Sequence, residues 1–146
     1  MLSWFCRELT SLQLGVRLDV LEKSLLPVDV DTFTHTIVFL VTIILRAPPS
    51  LTRLTIGLDV QLYSPKNNPV STFDADVAHN YYGMLDRALT SVNLPNLRRV
   101  RILKNTKSAD GEWREPVETG VRRGLVRILK NAHQKGDLLQ FNPEER

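Results

Sequence analysis

The sequence predicts an α/β fold, a short leucine-rich-repeat-like solenoid with parallel strands on one face and helices on the other. Two observations predict it. Ala47-Pro48-Pro49-Ser50-Leu51-Thr52-Arg53-Leu54-Thr55-Ile56 returns as Asn93-Leu94-Pro95-Asn96-Leu97-Arg98-Arg99-Val100-Arg101-Ile102, and both copies read Pro-x-Leu-x-x-(Leu/Val)-x-Ile. Strand-like alternation and helix-like periodicity also take turns along the chain, the order that builds a parallel sheet with crossover helices. A repeated helix-turn-strand unit buries its apolar face only against its neighbours, so the units stack. The 146 residues, 42% hydrophobic and 24% charged, make one α/β repeat domain with a real core. Its units cover approximately residues 10–46, 47–93 and 94–136, closed by a strand at 137–142.

Leu12-x-Leu14-x-Val16-x-Leu18-x-Val20 alternates strictly, as a half-buried strand does. Leu25-Leu26-Pro27 ends it, and Asp29 or Asp31 can cap the next element. Residues 32–46 carry the Val, Ile and Thr of a strand but the length of a helix, and they stop before Pro48-Pro49. We read a helix. Its Ile37–Leu45 run is the most apolar in the chain, yet with its flanks it reaches only about a dozen residues where a membrane span needs roughly 20. It is read as a fully buried element. Leu51–Asp59 is the next strand, with Leu54, Ile56 and Leu58 on one face.

Tyr63–Thr72 is a loop with two prolines and two asparagines, and Ser71-x-x-Asp74 resembles a capping box that starts a helix near Asp74. Val77, Tyr81, Leu85, Ala88 and Val92 form its apolar stripe, which places Tyr81 in the core and Tyr82 toward solvent. Asn93–Asn96 ends this helix, and Leu97–Leu103 is the second repeat strand. Thr106–Glu112 is a polar connection around the Asp110-Gly111 turn. Pro116 suits a first helical position, and Val117, Val121, Leu125, Ile128, Leu129 and Ala132 make one stripe. Lys135 and Gly136 close the helix, Leu138-Leu139-x-Phe141 is a third short strand, and Asn142–Arg146 is a frayed tail.

The formal charge of +3 is unevenly spread. Residues 1–96 carry seven Lys/Arg against nine Asp/Glu, residues 97–135 eleven against four, and residues 136–146 one against three. The basic character is therefore a local patch suited to an acidic partner. Arg99 and Arg101 share one strand parity, opposite to core-facing Val100 and Ile102, while Arg123, Arg127 and Lys130 form a separate helical stripe.

Enzyme and metal chemistry find no support in these residues. His35, His79 and His133 are scattered, and no zinc spacing appears. Asp74-x-Asp76 reads as helix N-terminal acids, and His133 as a cation near a helix C-terminus. Gly120–Gly124 lacks Gly-Lys-Ser/Thr and falls inside a helix instead of between strand and helix. The single cysteine, Cys6, excludes an internal disulfide and fits a reducing compartment, so the expected location is intracellular, cytoplasm or nucleus. Arg7 and Glu8 interrupt Met1–Cys6 too early for a secretory signal. No cofactor and no small-molecule site is legible, and no membrane partner is expected.

The pattern of Leu94–Ile102 and Leu125–Phe141, with Leu51–Leu58 as a weaker upstream copy, resembles the C-terminal leucine-rich-repeat-like region of fungal F-box-type proteins, a group expanded in mushroom-forming fungi. The resemblance covers about the last hundred residues. It implies a repeat region that selects targets, joined to an N-terminal F-box that docks on the adaptor of a cullin-RING ubiquitin ligase. Leu26-Pro27-Val28-Asp29-Val30 echoes the opening of an F-box but lacks its following amphipathic helices. Ubiquitin-ligase activity is therefore not carried over, and the chain is expected to be a truncated paralogue, an incomplete gene product or a target-binding half.

Two functions of different class are compatible with these residues. The first is a non-enzymatic protein-interaction scaffold, the substrate-recognition part of an F-box-type protein, whose strand-lined face (Arg53, Thr55, Arg99, Arg101) meets a protein partner, with Trp113 as an anchor. The alternative is a nucleic-acid-binding module using the basic region 98–135, which requires those cations on one continuous surface.

Overall fold

A computed structural model of the chain describes residues 9–21, 25–63, 75–107 and 115–141. The elements run β1 (Ser11–Leu21), α1 (Val30–Leu45), β2 (Arg53–Tyr63), α2 (Ala75–Leu89), β3 (Arg99–Lys107), α3 (Glu115–Ile128), α4 (Lys130–His133) and β4 (Leu139–Phe141). The four strands form one parallel sheet in sequential order β1-β2-β3-β4. The fold is thus α/β, with helices packed on one face of a parallel sheet.

Register and repeat coincide. Leu54 pairs with Val100 and Ile56 with Ile102, the positions that the two sequence copies share. One strand earlier, Leu12 faces Leu54 and Leu14 faces Ile56. Because side chains alternate across a strand, this register puts the repeated apolar residues of the strands on the helix-covered face. Leu54, Ile56, Val60, Leu62, Val100 and Ile102 are buried there, each position stabilised by about 1.5–3 kcal/mol of apolar burial.

The ambiguous Ile37–Leu45 run is helical. Asp29 caps α1 with its carboxylate on the Asp31 amide, and Phe33, Ile37, Leu40, Val41 and Ile44 form the buried stripe. Val38, Phe39 and Leu45 are exposed, so the run is buried on one face only and not fully. Propensity for strand yields here to the cap and to a helical burial pattern. Among the described residues no helix is long and apolar enough to cross a membrane.

Both repeat strands start and end later than the sequence reading placed them, at Arg53–Tyr63 and Arg99–Lys107. The Leu51 amide closes a turn on the Pro48 carbonyl, delaying the strand, while Val60 and Leu62 continue the buried alternation past Asp59. In β3 the same parity turns Lys104 and Thr106 inward, both buried.

The α2 stripe is rotated from the expected one. Ala78, Tyr82, Leu85 and Leu89 are buried, Val77 is exposed, and Val92 lies beyond the helix at 90% exposure. Tyr82, expected in solvent, is a core residue whose hydroxyl donates to the Leu25 carbonyl at 2.9 Å. Tyr81 is half-buried, edge-on to Phe33 at 6.1 Å between ring centroids. Leu85 and Ala88 of the expected stripe are buried, so the two stripes overlap, and the core side is centred on Ala78, Tyr82 and Leu89 in place of Val77, Tyr81 and Val92.

The last predicted helix is two. α3 ends at Ile128, Leu129 leaves helical geometry with φ −101° and ψ 44°, and α4 follows. Gly136 adopts a left-handed φ of 64°, the glycine conformation expected after a helix end. The capping box at Ser71–Asp74, the Asp110-Gly111 turn, Cys6, Trp113 and the tail lie outside the described residues.

Candidate docking face of the sheet

The face of the sheet turned away from the helices is built by the odd-numbered residues of β1, β2 and β3. Successive rows across it read Ser11, Arg53, Arg99, then Gln13, Thr55, Arg101, then Gly15, Gly57, Leu103. Gln140 of β4 extends the second row beside Arg101. Four of the five residues singled out in the sequence, Arg53, Thr55, Arg99 and Arg101, therefore meet on one patch. The fifth, Trp113, lies outside the described residues.

Arg53 and Arg99 are directly opposite on adjacent strands, with Cα atoms about 4.8 Å apart. Like charges in that relation repel. All three arginines are exposed, and the only ion pair among the described residues is Arg17 Nε to Asp19 Oδ1 at 2.9 Å. That hydrogen-bonded pair holds the Arg17 guanidinium above its ordinary value and lies toward the other end of β1. The arginine patch is thus a local excess of positive charge carried on rigid strands.

Beside it lies a feature the sequence reading missed. Gly15 and Gly57 pair in register and leave an open trough of about 450 Å³, lined also by Leu103, Asn105, Arg17 and Asp59. Glycine in a strand interior marks a place where another backbone can approach closely. The shared parity of Gly15 and Gly57 with Arg53 was the available signal.

The rest of the basic stretch is placed elsewhere. Arg122, Arg123 and Arg127 belong to α3 and Lys130 to α4, in the layer that covers the opposite face of the sheet. Lys104 points inward, its ammonium 5.9 Å from the Phe141 ring, and Arg122 reaches the same ring at 5.7 Å. These two cations sit over an aromatic face within the helix-covered side. Among the described residues the cations of 98–135 do not form one basic surface.

The remaining sequence candidates have structural places. Asp76 lies in the first turn of α2, His133 is the last residue of α4, and Gly120 and Gly124 are inside α3. Among the described residues no group of three His, Cys, Asp or Glu side chains could hold a metal ion. No family model, no curated protein and no solved structure matches this chain.

Proposed function

We propose that this chain is a protein-interaction scaffold whose uncovered sheet face receives an extended acidic segment of a partner protein. One observation carries the reading: the register sets Arg53 against Arg99 and Thr55 against Arg101 beside the Gly15–Gly57 trough. An extended segment that runs from the trough across the two rows beside it brings carboxylates to three guanidinium forks, each suited to bidentate hydrogen bonds. The threonine and Gln140 add neutral polar partners at the same level. In the F-box-type reading this face is the target-selecting surface.

Nucleic acid is the less favoured partner. A duplex or single strand draws its affinity from many phosphates neutralised along one surface. Arg99 and Arg101 of β3 lie on the opposite side of the sheet from the cations of α3, so one strand cannot engage both sets.

The test compares a fluorescent glutamate-rich peptide with a labelled single-stranded RNA and a DNA duplex by anisotropy. Saturable peptide binding should weaken about tenfold or more in Arg99→Glu/Arg101→Glu, the scale set by losing charge-assisted hydrogen bonds. Arg127→Glu should leave it unchanged. Tighter binding of either nucleic acid, or peptide affinity untouched by the β3 substitutions, would overturn the proposal.

A further inference from the structure

A second concavity lies on the other side of the molecule, between α2 and the α3–α4 pair. Its volume is about 680 Å³, within the range of small-molecule sites. The floor is apolar, made by Leu25, Leu26, Tyr82 and Ile128. The walls carry Arg87 from α2, Arg127 from α3 and Lys130 from α4, with His79 one turn before Gly83.

Among the described residues those three cations share the cleft with one carboxylate, and it is committed elsewhere. Asp86 is 2% exposed. Its Oδ1 accepts from the Ala132 amide at 3.0 Å and its Oδ2 from the Asn131 amide at 3.1 Å. Arg87, Arg127 and Lys130 make no ion pair among the described residues. The cleft therefore has an excess of positive charge above a greasy floor.

Backbone detail makes room for this arrangement. Gly83 has no side chain, and the Arg87 guanidinium folds over it, with Nη1 only 3.3 Å from where a Cβ would stand. Gly124 admits the Leu25 side chain, which a Cβ there would strike. Leu25 itself holds a φ of 57°, the one non-glycine residue with positive φ among those described. A leucine in that region is strained, and such strain persists where the surroundings over-determine it, often at ligand sites. Here the Leu25 amide donates to Leu21 O at 3.1 Å and its carbonyl accepts from the Tyr82 hydroxyl at 2.9 Å.

We propose that the α2–α3 cleft binds a small organic phosphate, its apolar or aromatic body on Leu25, Tyr82 and Ile128 and its phosphate held by Arg87, Arg127 and Lys130. Two guanidinium groups and an ammonium line one cleft, the charged donors that pair with a dianionic phosphate. The site is independent of the sheet face, so each can fail without the other.

Phenyl phosphate, inorganic phosphate and phenol serve as probes, read by amide chemical shifts of the full chain. Phenyl phosphate should give saturable shifts at Gly83, Gly124 and Asn131, and should bind more tightly than either fragment. Arg127→Glu/Lys130→Glu should weaken it about tenfold or more, as expected for lost charge-assisted bonds. Arg99→Glu/Arg101→Glu should leave it unchanged, and Arg127→Lys should retain most of it. Absence of saturation, shifts confined to the sheet face, equal affinity for inorganic phosphate, or indifference to the Arg127/Lys130 charge reversal would each overturn the proposal.

Discussion

Asn96 clamps one repeat to the one before it: its side-chain amide donates to the Pro49 carbonyl at 2.8 Å. Ser50, the corresponding residue of the preceding copy, donates its hydroxyl to the Leu9 carbonyl at 2.7 Å. The backbone repeats the gesture, with the Arg53 amide on Thr10 O and the Arg99 amide on Thr52 O. A stacked array gains its stability from such nearest-neighbour interfaces. Asn96→Ala and Ser50→Ala should each cost about 0.5–1.5 kcal/mol, the net worth of one hydrogen bond. Urea unfolding measures both, and a change under a few tenths in either would deny the clamp its role.

Asp86 supplies the amides that open α4 with an acceptor from a different helix. Local sequence offers none, because Leu129 precedes α4 and has no capping side chain. Asp86→Ala leaves two amide donors without that acceptor and should cost about 2–3 kcal/mol, whereas Asp86→Asn keeps one oxygen and should cost about half as much. Equal losses for the two variants would mean that packing, and not the carboxylate, matters at this position.

The strand register was legible because two residues per period leave little room for error, and because the Pro-x-Leu repeat aligns Leu54 with Val100 as the ladder does. Parity alone therefore brought Arg53, Thr55, Arg99 and Arg101 to one patch. Helix phase was less secure. Leu85 and Ala88 belong to two overlapping faces of α2, and whether Tyr81 or Tyr82 enters the core depends on which of those faces the packing turns inward. The cleft had no sequence signature at all. Arg87, Arg127 and Lys130 come together only through the packing of three helices over Leu25, a tertiary fact that no spacing encodes.

Two glycines of α3 make opposite demands. Gly120 is exposed and nothing lies within 4 Å of a Cβ there. Gly120→Ala should stabilise by about 0.5–1 kcal/mol through backbone entropy. Gly124 is buried against Leu25, whose Cγ would stand 3.3 Å from the new Cβ with Cδ1 closer still. Overpacking costs about 1–3 kcal/mol and exceeds the helix gain, so Gly124→Ala should destabilise on balance. Thermal midpoints of the two variants moving in the same direction would contradict this account.

The cap of α1 is acid-sensitive. Asp29 Oδ2 accepts from the Thr32 hydroxyl at 2.8 Å and Oδ1 from the Asp31 amide at 3.1 Å. The Thr32 hydroxyl is the main cause that holds this carboxyl below its ordinary 3.8, with the helix amides helping and slight burial opposing. A folded value below the unfolded one means stabilisation that is present above 3.8 and is lost as pH falls through the folded value. Asparagine caps nearly as well without titrating. Asp29→Asn should therefore flatten the fall of the thermal midpoint below about pH 4. Carbon-detected titration of the Asp29 carboxyl should show a midpoint under 3.8, and one at or above it would remove the basis for the effect.

Thr106 sits opposite Val60 on the buried side of β3, and its hydroxyl has no hydrogen-bond partner among the described residues. A buried hydroxyl without a partner has given up water for nothing, a cost of about 1–3 kcal/mol. Valine keeps the shape and the β-branch that suits a strand, replacing the oxygen with a methyl. Thr106→Val should thus be neutral or stabilising by about 1 kcal/mol, while Thr106→Ser, which keeps the hydroxyl and loses the methyl, should destabilise by a similar amount. Denaturant midpoints at unchanged slope separate the two effects. A valine variant weaker than wild type by more than about 1 kcal/mol would mean that the hydroxyl is engaged, and that the inward face of β3 is polar by design at that level.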